Sequence, residues 1–526
     1  MTSRRAAGIL LHPTSLPGPH GIGDLGPSAH HFLDVLADAG CTVWQMLPLG
    51  PTGYGDSPYQ SFSTFAGNPL LIHVADAKPW NGDARHVDYP AVIAAKREAL
   101  ARAVADFVPD RDYEVFLRDQ SHWLPDYCLF MALKELQGGS AWTSWTEGAD
   151  RAGLVADVDR LVPLVHARQV EQYLFDRQFR ALRAAAHARG IRLMGDVPIY
   201  VAHDSADVWA HRSLFRLDAL GTLAVQAGVP PDYFSPTGQL WGNPLYEWDT
   251  HRAQGYRWWI ARLRQAFTRF DIVRLDHFRG FESYWEVAGD AETAVDGTWQ
   301  PGPGEELFTA LQAAGMGQIV AENLGDITPA VEALREALGL AGMVVLQFAF
   351  GDDDPDNVHR PHNWTQHLVA YTGTHDNDTT VGWSSAAHVR EPLADDPVAP
   401  SDDPSPSAYA RALDYLEVNG HDLHWDFIRT VLGSVADTAI VPLQDLLGVG
   451  SEGRMNFPGR ENGNWQWRFV WDDVGGDVVR RFRTLATRYG RVPKAATRTS
   501  GSSGARGTGV ELTPAVPELL AGGDPA

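Results

Sequence analysis

Lysine is scarce in this sequence of 526 residues. It occurs only at positions 78, 96, 134 and 494, and acidic residues outnumber Lys and Arg by 66 to 43, which gives a formal net charge of −23. Nucleic acids and anionic membranes both select clustered positive charge. The composition therefore argues against nucleic acid and membrane as partners and favours a neutral or cationic ligand.

Cysteine and long apolar runs are also in short supply. Cys41 and Cys128 provide no disulfide framework, which is typical of a protein of the reducing cytoplasm. No stretch approaches the roughly 18 apolar residues of a membrane span. The apolar run from Ala6 to Leu11 is shorter than the roughly 7–15 residues of a secretion-signal core. These absences predict a cytoplasmic protein.

Hydrophobic and aromatic residues are plentiful by comparison. Hydrophobic residues make up 44% of the chain and charged residues 21%, so the body of the chain should fold around a core. The chain also holds 18 Trp, 15 Tyr and 21 Phe. Most of these rings belong in a core, and the remainder could stack against flat apolar ligand faces such as those of sugar rings.

Short apolar runs bounded by turn residues predict the strands, and several follow amphipathic helical patterns such as "YRWWIARLRQAFTRF". Helices that alternate with fully apolar strands indicate a parallel sheet. Eight such units predict a (β/α)₈ TIM barrel with inserted subdomains in its βα loops, and a doubly wound sheet is the alternative. The eight runs are "AGILLHP", "CTVWQMLPLG", "IRLMGDVPIYV", "FDIVRLDHF", "GQIVAENLG", "GMVVLQFAF", "HLVAYTGTHDN" and "TAIVPLQDLLG".

The uneven spacing of these units predicts the domain organisation. Residues 1–492 form the predicted catalytic barrel, with an insertion subdomain at about 51–190 and shorter insertions at about 202–252 and 382–425. The run from 390 to 407 is rich in Pro, Asp and Ser, which predicts a mobile surface loop. The tail 493–526 has little to bury and is predicted to be disordered.

Two possible cofactor motifs lack the surroundings that they require. "GIGDLG", Gly21 to Gly26, matches the dinucleotide fingerprint, but "HPTSLPGPH" separates it from the preceding strand and no acidic residue ends the next strand. His277 and His375 adjoin Asp276 and Asp376, yet no H-E-x-x-H motif or cysteine cluster supports a metal. The sequence predicts neither a cofactor nor a metal.

Acidic residues stand at or near the ends of four predicted strands: Asp196, Asp276, Glu322 and Asp376. Barrel enzymes place their active sites at this end of the strands. In "FDIVRLDHFRGF" the alternation of a strand puts Arg274 and Asp276 on one face, where a core residue is expected. A guanidinium beside Asp276 favours its ionised form, although a structural Arg–Asp pair is the alternative interpretation.

Crowded carboxyl groups repel one another unless the site needs a shared proton or a stabilised cation. Cleaving a glycosidic bond with retention needs both, because one carboxylate attacks and one carboxylic acid protonates the leaving oxygen. A third acid can oppose the positive charge of the transition state. The second loop, "GYGDSPYQSFSTFAGNPLL", adds Tyr59 on a stiffened backbone as a candidate ligand contact.

Together these motifs resemble the 4-α-glucanotransferases, also called amylomaltases or disproportionating enzymes, of glycoside hydrolase family 77 in the α-amylase clan. The resemblance covers nearly the whole chain, and the order of the motifs makes it specific. It is carried by "HPTSLPGPHGIGDLG", "YGDSPYQSFSTFAGNPLLI", "GDVPIYVAHDSADVW", "GVPPDYFSPTGQLWGNPLYEW", "RLDHFRGF", "AENLG", "THDN" and "RMNFPG".

The resemblance implies specific residue roles. Asp276 would be the nucleophile, Glu322 the general acid/base and Asp376 the stabiliser of the transition state. A lid at about 230–248 would border the acceptor side through Tyr233, Phe234, Gln239 and Trp241. The other substrate-binding residues that it implies are Tyr59, Ser57, Asp196, Arg274, His277, His375, Asn323 and Asn464.

The function that the resemblance implies is transfer of an α-1,4-glucan segment from a donor to the 4-hydroxyl of an acceptor glucan or glucose, through a covalent glucosyl-aspartate. The partners would be maltooligosaccharides, amylose or glycogen-derived glucans, in the cytoplasm and without a cofactor. An amylase-like α-1,4-glucan hydrolase shares the three acids, and a non-catalytic glucan-binding protein is the second alternative. The aromatic lid favours transfer, because stacking and closure position a sugar hydroxyl and limit water access. The oligomeric state stays open.

Overall fold

Residues 5–75, 77–145, 158–231, 235–389, 407–460 and 462–493 are described by the computed structural model. Tyr233 and Phe234 lie outside these residues, as do most of the predicted mobile loop at 390–407 and all but the first residue of the tail predicted after 492. A compact unit runs from Met1 to Val492.

Twelve strands lie in the described part of the chain. In chain order they are β1 (Ala6–Leu10), β2 (Val43–Gln45), β3 (Arg192–Val197), β4 (Val225–Val229), β5 (Gln239–Pro244), β6 (Ile272–Leu275), β7 (Ser283–Ala288), β8 (Gly297–Pro301), β9 (Gln318–Ala321), β10 (Gly342–Val345), β11 (Leu368–Tyr371) and β12 (Thr438–Pro442).

The described residues also form fifteen α-helices. They are α1 (Pro27–Ala39), α2 (Tyr89–Ala105), α3 (Arg111–Asp119), α4 (Leu124–Leu136), α5 (Val158–Ala188), α6 (Ala206–Ala210), α7 (Trp248–Ala253), α8 (Arg257–Arg269), α9 (Gly304–Ala313), α10 (Pro329–Ala337), α11 (Thr380–Val389), α12 (Ala408–Leu416), α13 (Leu423–Gly433), α14 (Leu443–Leu447) and α15 (Gly476–Arg488).

Eight of the strands form one parallel sheet in the order β10-β11-β12-β1-β2-β3-β6-β9. Its two outer strands also meet, because Val320 and Ala341 form a parallel bridge and the Ala321 amide donates to the Ala341 carbonyl over 2.8 Å. The sheet is thus a nearly closed barrel. Each of the eight apolar runs contains one of its strands, so the predicted (β/α)₈ fold is confirmed.

Helix α8 shows how the sequence builds one unit of the barrel. Its residues Trp259, Leu263 and Ala266 recur at helical spacing and are buried against the barrel wall, where α8 packs on β3 and β6. Complete burial of a side chain such as Leu263 stabilises the fold by about 1.5–3 kcal/mol. The chain leaves the helix at Phe270 and enters β6 at Ile272, which delivers Arg274 to the barrel mouth.

The other four strands form a second, antiparallel sheet in the order β5-β4-β7-β8. The sequence predicts a loop insertion at about 202–252 and gives no indication of this sheet. Its strands β4 and β5 contain Gly228 and Gly242. The pairs β4–β5 and β7–β8 are local, and the central pair β4–β7 joins distant segments, with Gly228 opposite Trp285. Local apolar periodicity therefore gives little signal for it.

The region predicted as the first insertion, about 51–190, contains helices α2 to α5 in its described part. These helices pack on one another, α4 and α2 each against α5. None of the helices formed by the described residues is both long enough and apolar enough to cross a lipid bilayer.

Candidate active site

The charged pair in β6 lies at the carboxyl end of the barrel. The Arg274 Nη1 atom donates to both carboxylate oxygens of Asp196, over 2.9 and 2.8 Å, and to Oδ1 of Asp276 over 2.7 Å. Arg274 is 4% exposed and Asp196 is also buried. Burying this guanidinium is tolerated because two carboxylates surround it and compensate its charge.

Tyr59 connects the second loop to this ion pair. Its hydroxyl donates to Asp196 Oδ2 over 2.8 Å, and its ring stacks on His375 with centroids 5.2 Å apart and planes 10° apart. Burial raises the pKa of Asp196, and the neighbouring charge of Arg274 acts in the opposite direction. Tyr59 therefore joins the β3–β6 side of the site to the loop that follows β11.

Glu322 follows β9 and is 8% exposed. Its carboxyl oxygens accept the amide of Leu324 over 2.8 Å and the amide of His277 over 2.7 Å. Burial raises the pKa of Glu322 to about 7; the positive charge of Arg274 opposes this rise and the negative charge of Asp276 adds to it. Glu322 can therefore give up and take back a proton near neutral pH.

His277 turns the chain immediately after Asp276. Its backbone is left-handed, with φ +51°, which is uncommon for a residue other than glycine and often marks a functional site. Its amide is the one that donates to Glu322. Burial lowers the pKa of its imidazole to about 4, so the ring is neutral at pH 7. Trp241 meets this ring edge-on, with centroids 4.9 Å apart.

Asp376 is held by two neighbours and keeps 45% of its side chain exposed. The Asn456 amide donates to Oδ1 over 2.6 Å, and His375 Nε2 lies 3.3 Å from Oδ2. The Asp376 carbonyl accepts from Arg454 over 2.7 Å. Asn456 is not among the site residues predicted from the sequence, although it lies within the motif "RMNFPG".

Asn464 supports the loop that carries Asn456. Its side-chain oxygen accepts the Phe457 amide over 2.9 Å, and its side-chain amide donates to the Arg460 carbonyl over 2.8 Å. Asn464 is 7% exposed. The structure thus shows a bracing contact for this residue, and its predicted contact with substrate stays a prediction.

Asn323 and Ser57 likewise have partners within the fold. The Asn323 amide donates to Glu332 over 2.6 Å, and its oxygen accepts the Met343 amide over 2.7 Å. The Ser57 hydroxyl accepts the Tyr59 amide over 3.2 Å. Asn323 therefore ties the loop after β9 to α10 and β10, and Ser57 shapes the loop that presents Tyr59.

The acceptor-side candidates lie on β5. Trp241 donates from Nε1 to Gln239 Oε1 over 3.3 Å, and the Trp241 carbonyl accepts from Gln60 over 3.2 Å. The other two candidates, Tyr233 and Phe234, lie outside the described residues. The described part of the predicted lid thus contacts both the second loop and His277.

His20, Asp24 and His73 bring potential metal-ligand atoms within 4.8 Å of one another. The buried Lys96 ammonium lies 3.4 Å from Asp24 Oδ2, and His20 and His73 both contact the same carboxylate. A cation already balances Asp24, so the arrangement is an internal ionic cluster that fastens the first loop to α2.

The fold and these side chains define a class of protein. A parallel barrel carries Asp276, Glu322 and Asp376 after three of its strands, with a buried guanidinium at one carboxylate and a raised pKa at another carboxyl. Such a pair of contrasting carboxyl groups is typical of enzymes that perform acid–base and nucleophilic chemistry on sugars.

Comparison with known proteins gives the family. A family model described as 4-alpha-glucanotransferase, glycoside hydrolase family 77, matches residues 11–472. The 4-alpha-glucanotransferase of Thermus thermophilus is 46% identical over 505 residues, covering 92% of this chain and 98% of that protein. That of Synechocystis is 46% identical over 520 residues, covering 93% and 99%. The chain belongs to glycoside hydrolase family 77, the 4-alpha-glucanotransferases.

A solved structure agrees with this assignment. The amylomaltase of Streptococcus agalactiae, determined in complex with acarbose, has a TM-score of 0.86 to this chain at 36% identity, covering 93% of this chain and 100% of that one. The resemblance drawn from the sequence motifs is therefore confirmed.

Proposed function

We propose that this chain moves a segment of an α-1,4-glucan from a donor to the 4-hydroxyl of an acceptor glucan or glucose, by a retaining double displacement through a glucosyl-aspartate at Asp276. The activity is the one that describes its family. The observation that carries the mechanism is the contrast between Asp276, paired with Arg274, and Glu322, whose pKa burial raises to about 7.

In the first step Asp276 attacks the anomeric carbon of the donor. Its Oδ1 accepts a hydrogen bond from Arg274 over 2.7 Å, while 27% of its side chain remains exposed to the cleft. The guanidinium holds this carboxylate by a charge-assisted hydrogen bond, and a carboxylate is the nucleophile that the step needs. Arg274 is itself fixed by Asp196, so the attacking oxygen has a defined position.

Glu322 supplies the proton that the leaving oxygen needs. In its carboxylic acid form it protonates the departing glucan while the bond to Asp276 forms. The resulting carboxylate accepts hydrogen bonds from the amides of His277 and Leu324. In the second step this carboxylate removes the proton of the acceptor 4-hydroxyl, which attacks the anomeric carbon and releases Asp276 with net retention.

Asp376 and its neighbours act on the sugar at the cleavage point. A carboxylate there opposes the positive charge that develops on the ring in the transition state. Asn456 and His375 hold its two oxygens, and the Tyr59 ring supports His375. These contacts limit the orientations of Asp376 before substrate binds.

The choice between transfer and hydrolysis depends on the acceptor side. Water can react with the glucosyl-aspartate as an acceptor hydroxyl does, so the enzyme must place a sugar there. Trp241, fixed against His277 one residue from Asp276, offers a ring on which an acceptor sugar can stack. We expect maltooligosaccharides, amylose or glycogen-derived glucans as substrates and the cytoplasm as location.

The test is to incubate the purified protein with maltotriose and separate the products by chain length. Transfer predicts glucose together with a ladder of glucans longer than maltotriose. Glucose and maltose alone would indicate a hydrolase, and binding without any product would indicate a glucan-binding protein. The Asp276→Asn variant, run beside the wild type, shows whether any product comes from this site.

A further inference from the structure

The turn between β7 and β8, residues 289–296, reaches from the second sheet to the loop that leads into β5. The Ala294 amide donates to the Thr237 carbonyl over 3.0 Å. Ala294 itself is fully buried. Thr237 precedes Gln239, where β5 begins, so this bond connects the turn to the strand that carries Trp241.

Trp285 holds Ala294 from the other side. Its indole Nε1 donates to the Ala294 carbonyl over 2.9 Å. Gly297 allows this approach, because a Cβ there would lie 2.3 Å from Trp285 Nε1. One backbone unit, Ala294, is therefore bonded through its carbonyl to β7 and through its amide to the loop before β5.

Glycines make close packing possible where the turn meets the β4–β5 hairpin. Gly238 has φ +67°, and a Cβ on it would lie 2.3 Å from the Val229 carbonyl oxygen and 2.9 Å from Ala294 Cβ. A Cβ on Gly228 would lie 2.5 Å from the Gln239 carbonyl oxygen and 3.6 Å from Ala294 Cβ. The turn thus lies against the hairpin, and at Gly238 there is no room for a side chain between the two.

The turn is also fixed at its base. The Gln226 side-chain amide lies within hydrogen-bond distance of three carbonyls at the end of β7 and the start of the turn, those of Ala288, Gly289 and Ala291, at 3.1, 3.2 and 3.4 Å. Gln226 is 6% exposed. These contacts fix the base of the turn to β4.

We propose that Trp285 is a positioning residue for the acceptor side of the reaction: through Ala294 it fixes Thr237 and Gly238, and so keeps Trp241 against His277. This inference rests on the proposed function, because it assigns Trp241 to acceptor binding. Trp285 sets the ratio of transfer to hydrolysis without touching the carboxyl groups that cleave the donor. The ligand whose placement it controls is the acceptor glucan.

The main test variant is Trp285→Phe, which keeps an aromatic ring and removes the indole donor. We expect the ratio of hydrolysis to transfer on maltotriose to rise roughly three- to tenfold, with a higher KM for acceptor glucose. The rate of donor cleavage should stay close to that of the wild type. Trp145→Phe is the matched control, since its indole Nε1 likewise donates to a backbone carbonyl, that of Ser140 over 3.0 Å, outside the second sheet; it should leave the ratio unchanged.

A double-mutant cycle separates positioning from general loosening of the fold. If Trp285 acts through Trp241, adding Trp285→Phe to Trp241→Ala should leave the product ratio of Trp241→Ala unchanged. An unaltered ratio in Trp285→Phe, or an effect that adds in full to that of Trp241→Ala, would overturn the inference. A wild type that makes no transfer product would instead overturn the proposed function.

A second variant keeps the test decisive if Trp285→Phe folds poorly. Gly238→Ala should displace the loop from Ala294 and raise the hydrolysis ratio in the same direction. Its control is Gly255→Ala, where φ is +60° but a Cβ meets no atom within 4 Å. An equal ratio in the two alanine variants would also overturn the inference.

Discussion

Arg274 sets the charge balance of the site, because a single nitrogen of its guanidinium contacts both Asp196 and Asp276. Its positive charge acts against the raised pKa of Glu322, and the negative charge of Asp276 acts with it. The pKa of Glu322 therefore depends on the charges of both neighbours.

Asp276→Asn should reduce turnover of maltotriose by roughly 10³-fold or more, because an amide is not a nucleophile. Binding of the glucan, followed by tryptophan fluorescence, should persist. The same variant should lower the pKa of Glu322, since it removes the charge that helps to raise it. Carbon-13 NMR titration of the Glu322 carboxyl measures this change, and retained turnover would remove Asp276 from the nucleophile role.

The raised pKa of Glu322 predicts the alkaline limb of the pH profile. The acid form donates the proton, and it is present below the folded-state pKa of about 7 and lost above it. The kcat/KM for maltotriose should therefore fall as pH rises through about 7. An α-maltosyl fluoride donor is the control, because fluoride leaves without protonation and its kcat/KM should not show this limb.

Asn456 offers a direct test of the support around Asp376. Asn456→Ala removes the 2.6 Å hydrogen bond to a carboxylate, and bonds to charged groups contribute about 1.5–3 kcal/mol. We expect kcat/KM to fall roughly 10- to 100-fold, with the melting temperature lowered by no more than a few degrees. Steady-state kinetics and thermal melting check this, and a wild-type kcat/KM would remove Asn456 from the site.

Strand β5 links the second sheet to the barrel, since its Trp241 meets the β6 loop at His277. Trp241→Ala should raise the fraction of maltotriose that is hydrolysed, because the acceptor sugar loses its stacking surface and water gains access. The ratio of reducing ends formed to longer glucans formed measures this. An unchanged ratio would contradict the assignment of β5 to the acceptor side.

The barrel strands could be predicted from the sequence because each is a local apolar run, as in "IVRL" of β6. Their polar ends, Asp276 and Glu322 among them, follow from strand alternation and from the position of active sites in barrels. The antiparallel sheet could not be predicted in the same way. Gly228 and Gly242 interrupt β4 and β5, and the buried residues of β7 do not alternate strictly, so neither kind of segment shows a clear strand pattern.

The contacts that position the acidic side chains of the site could not be predicted from the sequence either. Asn456 lies 80 residues from Asp376 in the chain, and Tyr59 lies 137 residues from Asp196. Residue type alone indicated that Tyr59 could bind a ligand, but not that its hydroxyl would contact an aspartate. Only the folded barrel brings these residues together.

The compact unit ends at Val492, and Arg491, which follows the last helix α15, bonds this end of the unit to the barrel. This guanidinium is 1% exposed and donates to the carbonyls of Leu432, Ala6 and Ala436 over 2.7, 2.8 and 3.0 Å. It therefore bonds to β1, to the last turn of α13 and to the segment between α13 and β12. The C-terminal residues of the compact unit are thus hydrogen-bonded to the first strand of the barrel.

Truncation after Arg491 and truncation before it should therefore have different effects on the melting temperature. A chain that ends at Pro493 should keep the activity and melting temperature of the full chain. A chain that ends at Gly490 should melt several degrees lower, because several buried carbonyls lose their donor at about 1–3 kcal/mol each. Calorimetry of both chains checks this, and equal melting temperatures would contradict the structural role of Arg491.

The covalent bond between the sugar and Asp276 is the central step of the proposed mechanism. Glu322→Gln enzyme given α-maltosyl fluoride should complete the first step, since fluoride needs no acid, and should stall in the second step without a base. Peptide mass spectrometry should then find a maltosyl adduct on Asp276. An adduct on a peptide that contains Asp376, and not Asp276, would contradict the double displacement at Asp276. Fluoride release without any adduct would also contradict it.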